Sequence, residues 1–366
     1  MSTPVPPAAD LALLATDVET DLRGTVRDLL ADQCPPTAVA AIYDGDRSVV
    51  APLWKALAVD LGLAGLLVPE SLGGAGASAR EAAAVLDELG RVCAPVPFLT
   101  SAVVATTALL ALDGDLARST LAAVASGERT VALVVPLSTG PDGSLPELTV
   151  TDGAVTGAVR SVAGVLEADV LLVPAGGSLL LVERSDAEVA EVSSLDMARQ
   201  LADVTFTGTP AQVLAADATA AVRSALLTGA ALLASEQSGV ARWCLEETVS
   251  YLKIRKQFGR VVGGFQALKH RLADLYAEVE SASATARYAA AALAEGTDVE
   301  VSARVAAAYC SDVAVRAAEE AVQLHGGIGM TWEHPAHLYL KKAKADQIAL
   351  GTAGAHRAAL APLVGL

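Results

Sequence analysis

The stretch "YLKIRKQFGRVVGGFQALKHRLAD", residues 251–274, holds a helix end, a turn and a helix start in one short span. A helix carrying Glu246, Glu247 and Lys253 runs into Arg255, Lys256, Gln257 and Phe258, and Gly259 stops it. After Val-Val-Gly-Gly a new helix begins near Phe265 and Gln266, with Phe265, Leu268, Leu272, Leu275 and Val279 recurring every three or four residues. A basic residue at a helix end ordinarily complements the helix dipole. Here a guanidinium, a carboxamide and an aromatic ring gather at one terminus, a set able to grip a diphosphate, hydrogen-bond it and stack on a base.

A second helix end lies downstream in "QLHGGIGMTWEHP", residues 323–335. Gln323 closes an amphipathic run that includes Val301, Val305, Ala308, Val315, Ala318 and Val322. Gly326, Gly327 and Gly329 then let backbone amides approach a ligand, although an isolated Gly-Gly is also an ordinary helix C-cap. "AEGTDVE" at 294–300 reads as the turn between two long antiparallel helices.

Outward from there, the chain changes texture twice. Up to about residue 127 it is helical, as in "AREAAAVLDELGRV" (79–92), where Ala82, Val85, Leu86 and Leu89 share one face and Ser78 is the candidate N-cap. The loop before it is marked by Gly73, Gly74 and Gly76. From about 129 to 215 short β-branched runs alternate with Gly, Pro and Asp: "TVALVVP", "ELTVTDGAVTG", "ADVLLVPA", "SLLLVE" and "ADVTFTG". Asp152-Gly153 is a hairpin signal, since both turn positions must accept positive φ. Helical, then β, then helical segregation predicts an α+β architecture. Its parts are an N-terminal helical domain (1–127), a middle β-domain (128–217) and a C-terminal four-helix bundle (218–366).

The totals exclude several classes. At 366 residues the chain is long for a single core. It is 53% hydrophobic with mean hydropathy +0.45, yet the apolar content is largely alanine, and no run is long enough to span a membrane. Net charge −16 and pI near 4.7 disfavour nucleic acid, and the best basic stripe, "KKAK" at 341–344, is small. Cys34, Cys93, Cys244 and Cys310 are scattered without a C-x-x-C pair, which predicts buried thiols and neither disulfides nor a metal site. "MSTPVPPAAD" lacks a basic and apolar leader, so a cytoplasmic location is expected.

Arg255, Gln257, Phe258 and Gly259, followed by Gln323, Gly326 and Gly327, resemble the R-x-Q-F-G segment and Q-x-x-G-G turn of the acyl-CoA dehydrogenase family. "GLAGLLVPESLGGAGAS" looks like that family's N-terminal helix and Gly-Gly loop, and the three-part layout matches along essentially the whole chain. The resemblance implies α,β-dehydrogenation of an acyl-CoA thioester with FAD. A carboxylate takes the α proton, the β hydrogen leaves as hydride to the flavin, and donors stabilise the developing enolate. It also implies that Arg255, Gln257, Phe258, Gln266, Gln323, Gly326 and Gly327 serve the FAD of a neighbouring subunit, and that Thr352 lies in a loop passing beside a flavin and its substrate.

The same resemblance exposes a gap. The family's glutamate in its Tyr-Glu-Gly-Thr loop falls at Leu350, beside Gly351 and Thr352, and the alternative position on the preceding helix falls at Gly229. Neither is a carboxylate. Glu236, seven residues on, lies about 10 Å along the helix from Gly229, and a helix-surface or intersubunit salt bridge is its expected role rather than that of base. The flavin-ring segments of the family are replaced by "VVPLSTGPDGS" (134–144) and "GAVRSVAGVLEAD" (157–169). Together these imply a base-lacking partner in a heterotetramer (α2β2) with a homologous catalytic subunit. Such family assemblies act on bulky acyl-CoA substrates of the steroid side-chain type. Two alternatives stay open, a self-sufficient homotetramer with a base such as Glu236 and a flavin-free structural homologue. The resemblance leaves an electron-transfer flavoprotein open as a further partner.

Overall fold

The computed structural model describes residues 11–366, and the whole "MSTPVPPAAD" stretch lies outside them. Helices α1 (Asp17–Gln33), α2 (Pro36–Ala41), α3 (Val50–Lys55), α4 (Ala79–Arg91), α5 (Thr106–Leu110) and α6 (Asp115–Ala125) form the first layer. Two of them start on reciprocal caps: Glu19 N–H donates to Thr16 Oγ1 while Thr16 N–H donates to Glu19, and Ser78 and Glu81 repeat the arrangement at α4. The expected face of α4, Ala82, Val85, Leu86 and Leu89, is buried. A π-helical stretch, Phe98–Ala105, leads into α5.

The middle domain is two four-stranded sheets packed face to face. Strands β1 (Val131–Leu133), β4 (Val170–Ala175), β5 (Ser178–Glu183) and β8 (Gln212–Ala215) make one, in that order, with β1 parallel to β4. Strands β2 (Thr149–Thr151), β3 (Ala154–Ala163), β7 (Leu201–Pro210) and β6 (Glu188–Val192) make the other, all antiparallel. Asp152 (φ 49°) and Gly153 (φ 77°) turn β2 into β3 as expected. The apolar runs of β4 and β5 serve two cores: Leu171, Val173, Leu180 and Val182 face the sandwich, while Val170, Leu172, Leu179 and Leu181 face the helices. Burial on both faces is why those runs show no polar alternation.

The third part is built on α7 (Thr219–Ile254), α8 (Gln266–Glu295) and α9 (Val299–His325), with the fourth helix broken into α10 (Ala336–Asp346) and α11 (Ala353–Leu363). A two-residue-per-strand hairpin, β9 (Lys256–Gln257) with β10 (Arg260–Val261), joins α7 to α8. Helix α4 crosses α7 at backbone contact. A Cβ on Gly90 would sit 2.1 Å from the Glu236 carbonyl oxygen, and one on Gly239 would sit 2.0 Å from that of Asp87. No side chain fits either place, so glycine sets this crossing.

Four sequence expectations change here. Val305 is exposed, because α9 turns it away from the buried Ala306, Ala307 and Ala308. Phe265, Leu268 and Leu272 are only half-buried, since the first turns of α8 extend beyond the bundle. Lys342 is buried among acids, so "KKAK" is not a surface stripe. Gly259 does not stop α7, which ends at Ile254 and is capped by Arg255; the chain goes straight into the β9–β10 hairpin, where the positive φ of Gly259 serves the turn. Strands β6 and β8 are found in addition to the strands expected from the sequence. All four cysteines are buried thiols.

Candidate functional site

Residues 229 and 350 meet. Gly229 lies in the buried middle of α7, and a Cβ there would stand 2.6 Å from Val104 Cγ2 and 3.0 Å from Leu350 Cδ1. Leu350 is 4% exposed and adopts left-handed backbone (φ 54°), unusual for a branched apolar residue. Its N–H donates to the Leu137 carbonyl at 2.7 Å, and its carbonyl accepts from His356 Nε2 at 3.0 Å. Burial holds His356 below the ordinary histidine range, so the ring is a neutral donor at this point. Around the pair, Leu99, Val104, Leu133, Leu137 and Leu226 line a small, half-open apolar cleft of about 30 Å³.

The segments standing where a flavin-ring pocket was expected fill the same place. A Cβ on Gly140 would lie 3.1 Å from Gly351 Cα, so the 137–143 loop rests on the 350–351 turn. Arg304 on α9, 4% exposed at its side chain, holds that loop through Asp142 at 2.7 and 3.2 Å. The 157–169 segment is mostly strand β3, with Ser161 (φ 56°) marking a bulge in its pairing with β7. Thr352 Oγ1 accepts from Ala355 N–H at 3.2 Å and caps α11.

Glu236 is buried in a charge cluster rather than on a helix surface. Its carboxylate accepts from Arg199 Nη2 at 2.5 Å and Lys342 Nζ at 2.6 Å. Asp346 sits 3.4 Å from each of those cations, and Asp196 is 3.8 Å from Lys342. Burial alone would raise the Glu236 carboxyl, but Arg199 and Lys342 outweigh it and hold it below the usual carboxylate range. Asp346 lacks those short bonds, and burial pushes it up to about 6. Glu236 therefore acts as a clamp between α7, α10 and the β6–β7 connection, with both oxygens engaged and none aimed at the 229–350 contact.

The predicted flavin-serving residues lie elsewhere and face outward. Phe258 (φ 53°, 90% exposed) and Gly259 (φ 73°) tip the β9–β10 hairpin, with Arg260 over the Phe265 ring at 4.0 Å. Arg255 and Gln257 on that hairpin, Gln266 at the start of α8 and Gln323 on α9 are exposed. Among the described residues, none of their side chains makes a hydrogen bond or ion pair. The ends of α7 and α9 lie together, with Tyr251 stacked on His325 at 4.5 Å between ring centroids. Gly326 caps α9 at φ 65°, ψ −139°, a conformation essentially reserved for glycine, and a Cβ on Gly327 would touch nothing in the chain. The internal packing thus gives a reason for the first glycine and none for the second. Sequence reasoning missed Arg199, Lys342 and Asp346, and also the grouping of Glu247, His325 and His334 at the α7–α9 end.

The family model described as acyl-CoA dehydrogenase, N-terminal domain, matches residues 16–128, and that described as acyl-CoA dehydrogenase, C-terminal domain, matches 219–363. Acyl-CoA dehydrogenase IpdE2 of Mycobacterium tuberculosis is 38% identical over 322 residues, 88% of this chain and 89% of the relative. FadE34 of the same organism is 37% identical, and the chain spans 44% of its length. Two solved structures are similar over nearly all of both chains. One is the ChsE4-ChsE5 complex from M. tuberculosis (27% identity, TM-score 0.85, 97% and 99% covered). The other is a variant of the Tcur3481-Tcur3483 steroid ACAD (29%, 0.84, 95% and 98%).

Proposed function

The chain belongs to the acyl-CoA dehydrogenase family of oxidoreductases, and on that premise we propose that it is the base-lacking subunit of a heteromeric enzyme, α2β2 with a homologous catalytic chain. The observation carrying this reading is the convergence of Leu350 and Gly229 on one closely packed, apolar contact with no carboxylate. Thioester α-deprotonation needs a base within hydrogen-bond reach of the substrate carbon, and no carboxylate lines the cleft at this contact.

The outward face supports the other half of the proposal. Arg255, Gln257, Gln266 and Gln323 offer donors that the chain itself leaves unused, and Gly327 leaves its backbone open to close approach. That set fits the diphosphate and adenosine portions of an FAD held by the partner, with Phe258 as an apolar cover. Bound there, the flavin supplies hydride acceptance. Arg255 would neutralise the diphosphate, the glutamines would orient it, and Phe258 would exclude water. The partner supplies base and ring pocket. A bulky, steroid-type acyl-CoA thioester as substrate is supported by two of the similar structures, each named for a pair of chains and one described as a steroid ACAD. A cytoplasmic setting belongs to the same proposal, and no helix among the described residues is long and apolar enough to cross a membrane.

Coexpression with a homologous acyl-CoA dehydrogenase chain tests this. The complex is expected to carry the flavin band near ~450 nm, usual for bound flavin, and to dehydrogenate an acyl-CoA. The chain alone is expected to do neither. Stoichiometric flavin and turnover by the isolated chain would overturn the proposal. Arg255→Ala in the complex is expected to weaken flavin retention roughly 10- to 100-fold, the value of a charge-assisted hydrogen bond. Unchanged retention would remove Arg255 from the site.

A further inference from the structure

Glu247 on α7, His325 at the end of α9 and His334 just before α10 converge, one ligand-capable atom of each lying within 4.8 Å of the other two. His325 is 3% exposed, and its ring lies 4.2 Å from that of His334, centroid to centroid. His325 Nδ1–H donates to the Ala321 carbonyl at 2.7 Å, which leaves the lone pair on Nε2. That Nε2 is buried and has no hydrogen-bond partner. A buried acceptor without a donor is costly, and a backbone carbonyl holding the far ring nitrogen is how metal-ligating histidines are commonly oriented. Across from it, Glu247 Oε1 lies 3.7 Å from His334 Nε2.

The geometry points to a divalent transition-cation site, of the zinc or cobalt class, formed by His325 Nε2, His334 Nε2 and one Glu247 carboxylate oxygen. Two imidazoles and a carboxylate suit such ions better than calcium or magnesium, and leave a fourth position open to water or to a partner group. Ligand atoms about 2.0–2.2 Å from one ion in a tetrahedral set stand roughly 3.3–3.6 Å apart, so a grouping within 4.8 Å closes with side-chain shifts of about 1 Å. One contact must be exchanged. His334 Nδ1 accepts from Ala336 N–H at 3.3 Å, and ligation through Nε2 requires the proton on Nδ1, so a long hydrogen bond gives way to a coordinate bond. A bound ion would tie α7 directly to the first residue before the Gly326–Met330 turn, fixing the turn proposed to reach a neighbouring flavin. Only that consequence rests on the functional proposal.

The test is titration of the chelator-treated full chain, alone and in its coexpressed complex, with Co²⁺. One equivalent per chain with visible ligand-field bands, displaced by Zn²⁺, is expected. His334→Gln and Glu247→Gln should each weaken binding at least about 10-fold, with circular dichroism unchanged; loss of one ligand is no smaller than loss of an outer-shell partner. Absence of a saturable cobalt band would overturn the site. So would bands unaltered in both variants, leaving a His-His-Glu cluster held by hydrogen bonds alone. Neither readout depends on flavin or on turnover.

Discussion

Gly229→Ala adds one methyl at the point where the apolar contact is tightest. In an open helix the change would stabilise by about 1 kcal/mol, since glycine is the costlier helix residue. Here the new Cβ would lie 2.6 Å from Val104 Cγ2 and 3.0 Å from Leu350 Cδ1, both inside contact distance. Val104 is β-branched and rotamer-restricted. Leu350 is anchored at both backbone atoms, by Leu137 and His356, so neither neighbour retreats freely. Overpacking typically costs about 1–3 kcal/mol, so the net effect is a destabilisation of roughly 0–2 kcal/mol. A double-mutant cycle sharpens it. Leu350→Ala alone should cost about 2–5 kcal/mol, but it removes Cδ1, and the new methyl then fills part of the space left. The double variant should be more stable than the sum predicts by about 1 kcal/mol. Urea unfolding followed by circular dichroism on all four proteins measures this. If Gly229→Ala stabilises by the full helix-propensity amount and is additive with Leu350→Ala, the two positions are not in contact. The close packing of Leu350 on Gly229, from which the base-lacking role is proposed, is then refuted with them.

Three further outcomes follow from the packing and the charge cluster. Glu236→Gln should lose about 3–5 kcal/mol, because Arg199 and Lys342 stay buried without their closest anion; an unchanged urea midpoint would contradict the clamp. Gly239→Ala, whose Cβ would lie 2.0 Å from the Asp87 carbonyl oxygen, should destabilise by at least about 2 kcal/mol. The control Gly24→Ala in α1, where a Cβ meets nothing, should gain about 0.5–1 kcal/mol, and equal effects at both glycines would refute the crossing. The carboxyl of Asp346 is raised in the fold to about 6, so its contribution is full below the unfolded carboxylate range near pH ~4 and is lost as pH rises through 6. Asp346→Asn lacks that loss, so its stability relative to the native chain should rise between pH ~4 and ~6; a flat difference would refute it.

What the sequence made legible was local. The N-cap at Ser78 and the turn at Asp152-Gly153 each act within four residues, and each does in the structure what its chemistry implies. The face of α9 misled at Val305 because an alanine-rich helix has little apolar contrast, so one valine fits either side of the stripe. Strands β6 and β8 escaped notice because "EVAEV" and "QVLA" are edge strands with few buried residues. Glu236 was read as a surface or intersubunit ion because its partners are remote: Arg199 comes from the middle domain and Lys342 from α10. A basic triplet and a lone acid gave no hint that the tertiary fold would bring them together.

The closely packed contact and the open face bear on each other energetically. Phe258 is 90% exposed, Met330 81%, Ile254 75% and Trp332 66%, and all four lie at the hairpin and turn where α7 and α9 end. A fully buried large apolar side chain contributes about 1.5–3 kcal/mol, so this end of the bundle gains substantially from being covered. At Leu350 the opposite holds: the apolar side chains already cover one another, and opening a substrate cavity there would forfeit that packing. An assembly in which a second chain covers Phe258 and Met330, while the 229–350 contact stays shut, satisfies both ends at once. A chain using its own site would have to open the closed end and leave the exposed end uncovered.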